Sequence, residues 1–332
     1  MNKRENWIDI LRGIAVIAVI IDHAFVFFPT FRITLLGVHT YFSVNWFIFL
    51  SGVTNTISRK NRKLSYREFL LKKISILGIY FCSAVIYFLI LFFPGYNSST
   101  FLEGLVNFST AAHFYFVLVI LQLYLMFPFL YGILYKKKLI VQLIILSVIS
   151  LFTMKMFPLS KPPWQATDFP SFIGWSYLLT FTLGIFYQLH FDSGIFKKNI
   201  TYFSFAVFLI LEVYLLISNH IFVIAIPNLK LIAWSLSLLF VAKFLIEKFL
   251  NRSLPVPILP VLGRNSLFIY LFHFIVLKLF AGFSPNPHPA VFFFAIFLSI
   301  LIPLILQTLY AKTLSLLPYP PVPLSRQKPL YP

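Results

Sequence analysis

Apolar runs long enough to cross a bilayer follow one another from Trp7 almost to the C-terminus, and they constrain this chain more than any other feature. Crossing about 30 Å of hydrocarbon takes about 20 apolar residues in a helix, and backbone polar groups at that depth must be satisfied within the segment. On this basis there are about ten helices, near residues 7–28, 38–58, 74–93, 113–134, 139–157, 172–190, 200–220, 230–250, 265–283 and 290–314. The second is the least apolar, and the stretch 223–235 is broken by Pro227. The expected fold is an all-α polytopic membrane protein. Composition agrees, since only 11% of the residues are charged and 60% are hydrophobic, whereas soluble domains carry about 25% charged residues.

The formal net charge of +18 suggests nucleic acid at first sight, but the basic residues do not line one soluble face. They cluster in alternate gaps between apolar runs, at Arg59 to Lys73, Lys136 to Lys138, Lys197 and Lys198, and Lys243 to Arg264. The positive-inside rule puts those gaps, and both termini, in the cytoplasm. Arg32, Lys155, Lys161, Lys230 and Lys278 fall on the other side. The pattern implies an even number of spans in a cell membrane, plasma or inner, with lipids as partners and no nucleic acid. The first run is too long and too charged for a cleaved signal peptide. Cys82 is the single cysteine, so there is no internal disulfide and no cysteine metal cluster. The transmembrane domain is expected over 1–316, followed by a Pro-rich tail over 317–332, with 94–112 and 158–171 as the longest outer segments.

The first apolar run also carries Arg12, Asp22 and His23. Ionisable groups at membrane depth cost about 2.5–3.5 kcal/mol each on insertion scales, so they seldom stay there without a task. Arg12 and His23 are eleven residues apart, which on a helix puts them on one face about 16 Å apart along the axis. A neutral imidazole is a workable base near neutral pH, so His23 can deprotonate a hydroxyl or carry an acyl group. Arg12, at the other end, can hold an anionic phosphate. Snorkelling of Arg12 and polar packing of His23 are the plainer alternatives.

Further polar residues lie in other spans. His273 in the ninth, Glu212 in the seventh and His113 at the start of the fourth are candidates to converge on His23, or to serve as interhelical hydrogen-bond partners. The second span holds Ser43, Asn45, Trp46, Ser51, Thr54 and Asn55, too many polar side chains to face lipid. It is expected to face the bundle interior, with Asn45 and Ser51 as candidate site-lining residues. The Arg59 to Lys73 cluster suits anionic lipid or a phosphate-rich ligand. No P-loop, dinucleotide glycine fingerprint, GxSxG motif or metal-ligand spacing is present.

These segments resemble a known family. IDILRGIAVIAVIIDH, ending at His23, is similar to the opening of the integral-membrane acyltransferase-3 family, whose signature is a basic residue, ten intervening residues and a histidine. NWFIFLSG (Asn45 to Gly52) resembles its second-helix element, and SYREFLLKK (Ser65 to Lys73) its basic entry to the third helix, with lysines where arginines are common. AHFYFVLVILQLYLMFP resembles the fourth helix, with Tyr115 where tryptophan is frequent. LGRNSLFIYLFH (Leu262 to His273) is similar to its late Gly-x-x-Ser-x-x-x-Tyr-Leu-x-His element. IDILRGIAV and the Phe-Leu-Ser-Gly-Val segment also resemble the related heparan-α-glucosaminide N-acetyltransferase group.

The resemblance implies transfer of an acyl group, usually acetyl, from cytoplasmic acyl-CoA to a saccharide or glycolipid hydroxyl at the outer side, without a metal. His23 then corresponds to the catalytic base or transient acyl carrier, with Asp22 as its orienting neighbour, and Arg12, Lys72 and Lys73 engage the phosphates of the acyl-CoA. Some members complete transfer with a soluble domain; any such extracytoplasmic partner here is a separate protein. A reading from another class is a transporter or flippase for a lipid-linked sugar, which also uses buried charge and a polar cavity.

Overall fold

The computed structural model describes residues 6–62, 65–91, 98–108, 110–156, 173–190, 194–218, 229–250, 258–283 and 288–316. Its helices are α1 (Asn6–Phe27), α2 (Thr34–Thr40), α3 (Phe42–Arg62), α4 (Tyr66–Leu91), α5 (Ser98–Val106), α6 (Tyr115–Leu134), α7 (Leu139–Met156), α8 (Leu178–His190), α9 (Gly194–Ser218), α10 (Leu229–Leu245), α11 (Ile258–Arg264), α12 (Ser266–Phe283) and α13 (Pro289–Leu316). Among the described residues there is no strand, and the chain is an all-α polytopic membrane protein.

Each of the ten expected spans coincides with a helix, and seven of them are long and apolar enough to cross a membrane by length and composition. The other three depart from that ideal for visible reasons. α3 is 21 residues long but rich in polar side chains. α7, the fifth expected span, is apolar only over the shorter stretch Leu139–Thr153. The sixth expected span opens as a 3-10 turn, Ile173–Tyr177, and continues as the 13-residue α8. Sequence reading joined α2 to α3, yet the chain turns at Tyr41, where Thr40 Oγ1 caps back onto the Gly37 carbonyl at 2.6 Å. The expected outer segment 94–112 holds α5 and the start of a short turn at Ala112–Phe114. The expected outer segment 158–171, the break at Pro227 and the tail 317–332 lie outside the described residues.

The centre of the bundle is α1, with α11, α12 and α3 packed around it; α3 in turn packs on α8 and α10. Lipid solvates apolar side chains as well as a protein core does, so helices associate in a membrane through close approach and hydrogen bonds. Both devices are present. At the α3–α8 crossing a Cβ on Gly52 would lie 2.3 Å from the Phe181 carbonyl oxygen, and one on Gly184 would lie 2.2 Å from that of Phe49. At the α1–α11 crossing a Cβ on Gly263 would lie 1.7 Å from the Asp9 carbonyl oxygen. Only hydrogen fits at these positions. The polar residues of α3 face inward as expected, with Ser43, Asn45, Ser51, Asn55 and Thr56 all buried. By contrast α9 turns Tyr202, Phe203, Phe205 and Ile210 outward, as a helix at the lipid boundary does.

Candidate active site

α1 runs without interruption from Asn6 to Phe27, so the spacing of Arg12 and His23 is realised as about 16 Å along one helix. The two residues occupy different surroundings. The Nη2 of Arg12 donates to Thr54 Oγ1 of α3 at 3.1 Å, and Thr54 donates to the Leu50 carbonyl at 2.9 Å, which leaves its oxygen free to accept. His23 sits where α1, α12 and the segment before α6 meet. Its Nδ1 lies 2.7 Å from Nε2 of His273, with ring centroids 5.0 Å apart and 17° between planes, so the two rings meet edge to edge and nearly coplanar.

His273 is buried on α12 and folds back onto its own helix. Its Nδ1 lies 2.7 Å from the Tyr270 carbonyl oxygen and 3.1 Å from that of Ile269. His113 completes the cluster, with its ring centroid 5.2 Å from that of His273 and 6.0 Å from that of His23. Its Nε2 reaches the Leu271 carbonyl at 3.3 Å, and the Ile275 N–H donates to Tyr87 Oη at 2.9 Å. Leu271 and Ile275 are the i and i+4 partners of one helical turn, so His113 and Tyr87 both reach into the same turn of α12. Tyr270 Oη donates to the His113 carbonyl at 2.7 Å. Phe274 stacks on His113 at 4.8 Å and presents its edge to His23 at 5.4 Å. The imidazoles are thus held by backbone carbonyls and aromatic faces. Among the described residues no group of three or more histidine, cysteine or acidic side chains is arranged to hold a metal ion.

The structure brings together three of the expected residues, His23, His113 and His273. The others are placed elsewhere. Asp22 does not orient His23, whose Nδ1 is taken by His273; its Oδ1 lies 3.2 Å from Thr40 Oγ1 of α2, in the field of Arg32. Neighbours in sequence are about 100° apart on a helix, so Asp22 and His23 must face different groups. Glu212 does not converge on the histidines either; it pairs with His39 at 2.6 Å and accepts from Trp234 Nε1 at 2.9 Å. Asn45 serves the α3–α10 contact, donating to Ser235 Oγ at 3.2 Å, while its Oδ1 is buried without a hydrogen-bond partner. Ser51 is buried on α3 beside Gly52. Lys73 places its ammonium 4.3 Å from the ring centroid of Tyr124 on α6, and the side chain of Lys72 lies outside the described residues.

Sequence reading missed Tyr270, Phe274, His39 and Trp234 as partners. Tyr270 and Phe274 flank His273 in the quoted LGRNSLFIYLFH segment and its next residue, but nothing in their spacing says which carbonyl an imidazole selects. His39 lies 173 residues from Glu212, and that pairing has no local signal.

A bundle of membrane helices that buries a hydrogen-bonded histidine pair, with an arginine on the same helix, defines an integral-membrane protein with a candidate acid–base site inside its core. The chain belongs to the acyltransferase-3 family: the family model described as "Acyltransferase domain" matches residues 5–308, and the protein is a membrane acyltransferase. That match supports the acyltransferase-3 resemblance and not the one to the heparan-α-glucosaminide N-acetyltransferase group. No curated protein and no solved structure matches the chain.

Proposed function

We propose that the protein moves an acyl group, in the simplest case acetyl, from cytoplasmic acyl-CoA to a hydroxyl of a saccharide or glycolipid at the outer side of the plasma or inner membrane. His23 acts as general base or transient acyl carrier. The observation that carries this reading is the state of His23: half-buried, anchored through Nδ1 to His273, with nothing among the described residues hydrogen-bonded to Nε2. An imidazole fixed on one side and open on the other is what proton abstraction or nucleophilic attack requires. Arg12, toward the basic end of α1, supplies a planar guanidinium suited to phosphate oxygens, and Lys72 and Lys73 add cationic charge at the start of α4. The acceptor approaches from the side of Asp22, Thr40 and Arg32, where a carboxylate, a hydroxyl and a guanidinium offer partners for sugar hydroxyls. A separate extracytoplasmic protein that receives or presents the acceptor is compatible with this arrangement.

The experiment is acyl-CoA turnover by purified protein in detergent or sealed vesicles without an ion gradient. Release of free CoA, stimulated by a crude lipid-linked saccharide acceptor, supports acyl transfer. Gradient-dependent movement of a lipid-linked sugar with no CoA release identifies a transporter instead. Mass spectrometry of surface glycans from a deletion strain and its parent then gives the acceptor and the size of the acyl group.

A further inference from the structure

We propose that His273 is a positioning residue that fixes the tautomer of His23 and takes up its second proton, making Nε2 of His23 the reacting atom. This rests on the acyltransferase reading above. The assignment follows from the hydrogen-bond network in three steps. Carbonyl oxygens only accept, so the Nδ1 of His273, 2.7 Å from the Tyr270 oxygen and 3.1 Å from the Ile269 oxygen, carries a proton. With that ring neutral, its Nε2 is a bare acceptor. The Nδ1 of His23, 2.7 Å away, must therefore be the donor, and the one lone pair left in the ring plane of His23 is at Nε2. Among the described residues none is hydrogen-bonded to that nitrogen. Two backbone carbonyls on α12 thus dictate the protonation state of a ring on α1, across a sequence separation of 250 residues.

The same network gives the proton a destination. When Nε2 of His23 takes the proton of an acceptor hydroxyl, that O–H bond breaks and His23 gains a positive charge. Its Nδ1–H already points at a lone pair, so the Nδ1 proton can pass to Nε2 of His273. His273 is then the imidazolium, with Nδ1–H still donating to two carbonyls, and His23 is neutral again with its proton on Nε2. The hydroxyl oxygen bonds to the acyl carbon, the carbon–sulfur bond breaks, and the thiolate of CoA accepts the proton returned along the same path. Atoms and charge balance with acyl-CoA and the hydroxyl as the only reactants. In hydrolytic triads a carboxylate stands behind the histidine and stabilises the cation. Here the nearest candidate in sequence, Asp22, is engaged by Thr40, and the place behind His23 is held by a second imidazole. His113 does not compete for the role: its Nε2 is directed to the Leu271 carbonyl, and its buried Nδ1 has no hydrogen-bond partner among the described residues.

The direct test uses protein labelled with 15N-histidine in lipid nanodiscs, because 15N shifts separate protonated from bare ring nitrogens. The resonances of His23 are assigned by their loss in His23→Gln. The expected result is protonated Nδ1 and bare Nε2 on both His23 and His273, with a coupling across the N–H···N bond. A His23 protonated at Nε2 overturns the proposal. The kinetic test is the dependence of kcat on the D2O fraction, which is expected to be curved in the wild type, as for two protons in flight. His273→Gln can still accept from His23 but cannot take a proton. It is expected to lower kcat about 100-fold, with KM for acyl-CoA changed less than about twofold and a linear D2O dependence. A structural role alone would not change the shape of that dependence. Wild-type linearity, or wild-type kcat in His273→Gln, overturns the inference, and the two wild-type measurements stand even where the variant fails to fold. Brisk turnover with reversed tautomers sinks this inference and leaves acyl transfer intact. Expected tautomers in a protein inert toward acyl-CoA sink the acyl-transfer reading, and this role with it.

Discussion

The carboxylate of Glu212 on α9 joins three helices: one oxygen lies 2.6 Å from His39 Nε2 on α2, and the other accepts from Trp234 Nε1 on α10 at 2.9 Å. Its two oxygens thus tie α2 and α10 to α9, an interhelical clamp. Glu212→Gln keeps an acceptor for Trp234 and is expected to cost no more than about 1 kcal/mol, whereas Glu212→Ala removes both contacts and costs about 1–2 kcal/mol. Thermal unfolding in detergent measures the difference. Acyl-CoA turnover of folded Glu212→Gln should stay near wild type. Its loss in well-folded protein would return Glu212 to the reaction site.

The α3–α8 crossing makes a sharper stability prediction. A methyl at Gly52 or Gly184 lands 2.3 or 2.2 Å from a backbone carbonyl oxygen of the facing helix, and backbone cannot swing aside as a side chain can. Gly52→Ala and Gly184→Ala should each force the helices apart at a cost of about 1–3 kcal/mol or more, read as lower yield and melting temperature. Gly78→Ala is the control, because a Cβ there meets nothing within 4 Å. It should be neutral or stabilising by about 0.5–1 kcal/mol. Equal melting temperatures for all three variants would mean the crossing is not this tight.

How far the sequence could be read follows from which forces are local. Spans were legible because hydrophobic length is a property of each segment, and the inward face of α3 because a helix with Asn45, Ser51 and Asn55 has no place against lipid. The breaks were not, because the turn at Tyr41 and the 3-10 opening at Ile173–Tyr177 depend on what packs beside them. His23 was legible as an isolated polar residue in an apolar helix. That His273 would meet it and Glu212 would not was unreadable, since both are lone ionisable residues in later spans and only the packing of α12 on α1 and of α9 on α10 separates them. Asp22 shows the converse hazard: adjacency in sequence suggested partnership, and helix geometry denies it.

Sidedness can be tested through the single cysteine. Cys82 is exposed and free, so Cys82→Ser provides a background for single-cysteine variants. From the distribution of lysine and arginine, positions in 59–67 and 136–138 should label only from the cytoplasmic side, and positions in 97–100 and 285–288 only from outside. Outside labelling at 136–138 would overturn the proposed orientation, and the direction of acyl transfer with it.

Arg12 should affect use of acyl-CoA more than folding. Its Nη2 donates to the Thr54 hydroxyl at 3.1 Å, and a planar guanidinium with five donors suits phosphate oxygens. A charge-assisted hydrogen bond contributes about 1.5–3 kcal/mol, so Arg12→Ala should raise the apparent KM for acyl-CoA by about 10- to 100-fold. Arg12→Lys should recover only part of this, because an ammonium cannot fork onto two oxygens. Wild-type KM in both variants would make Arg12 a structural and topological residue and end its assignment to the cofactor end of the site.

The last prediction concerns His23. It stands sixteen residues beyond Trp7 on the unbroken α1, about 24 Å along the helix and so past the middle of the bilayer. In the proposed reaction an acceptor hydroxyl meets it there from the outer side and acyl-CoA comes from the Arg12 end. His23→Ala removes the imidazole and should abolish turnover with normal insertion, read as membrane yield and detergent size-exclusion profile. His23→Gln is the more informative change. Its amide can still reach toward Nε2 of His273 and preserve the packing against Phe274, but it can neither accept a proton at neutral pH nor carry an acyl group. Loss of general-base catalysis costs about 100- to 10,000-fold, so turnover by His23→Gln should fall at least to the lower of those limits. The variant also separates the two roles that the histidine can fill. Trapping with labelled acyl-CoA in the absence of acceptor should yield an acylated wild-type protein if His23 is a carrier, and none if it is a base, with His23→Gln unlabelled in either case. Robust transfer by a well-expressed His23→Gln protein would remove His23 from the chemistry and shift the reacting group to His113, whose buried Nδ1 has no hydrogen-bond partner among the described residues.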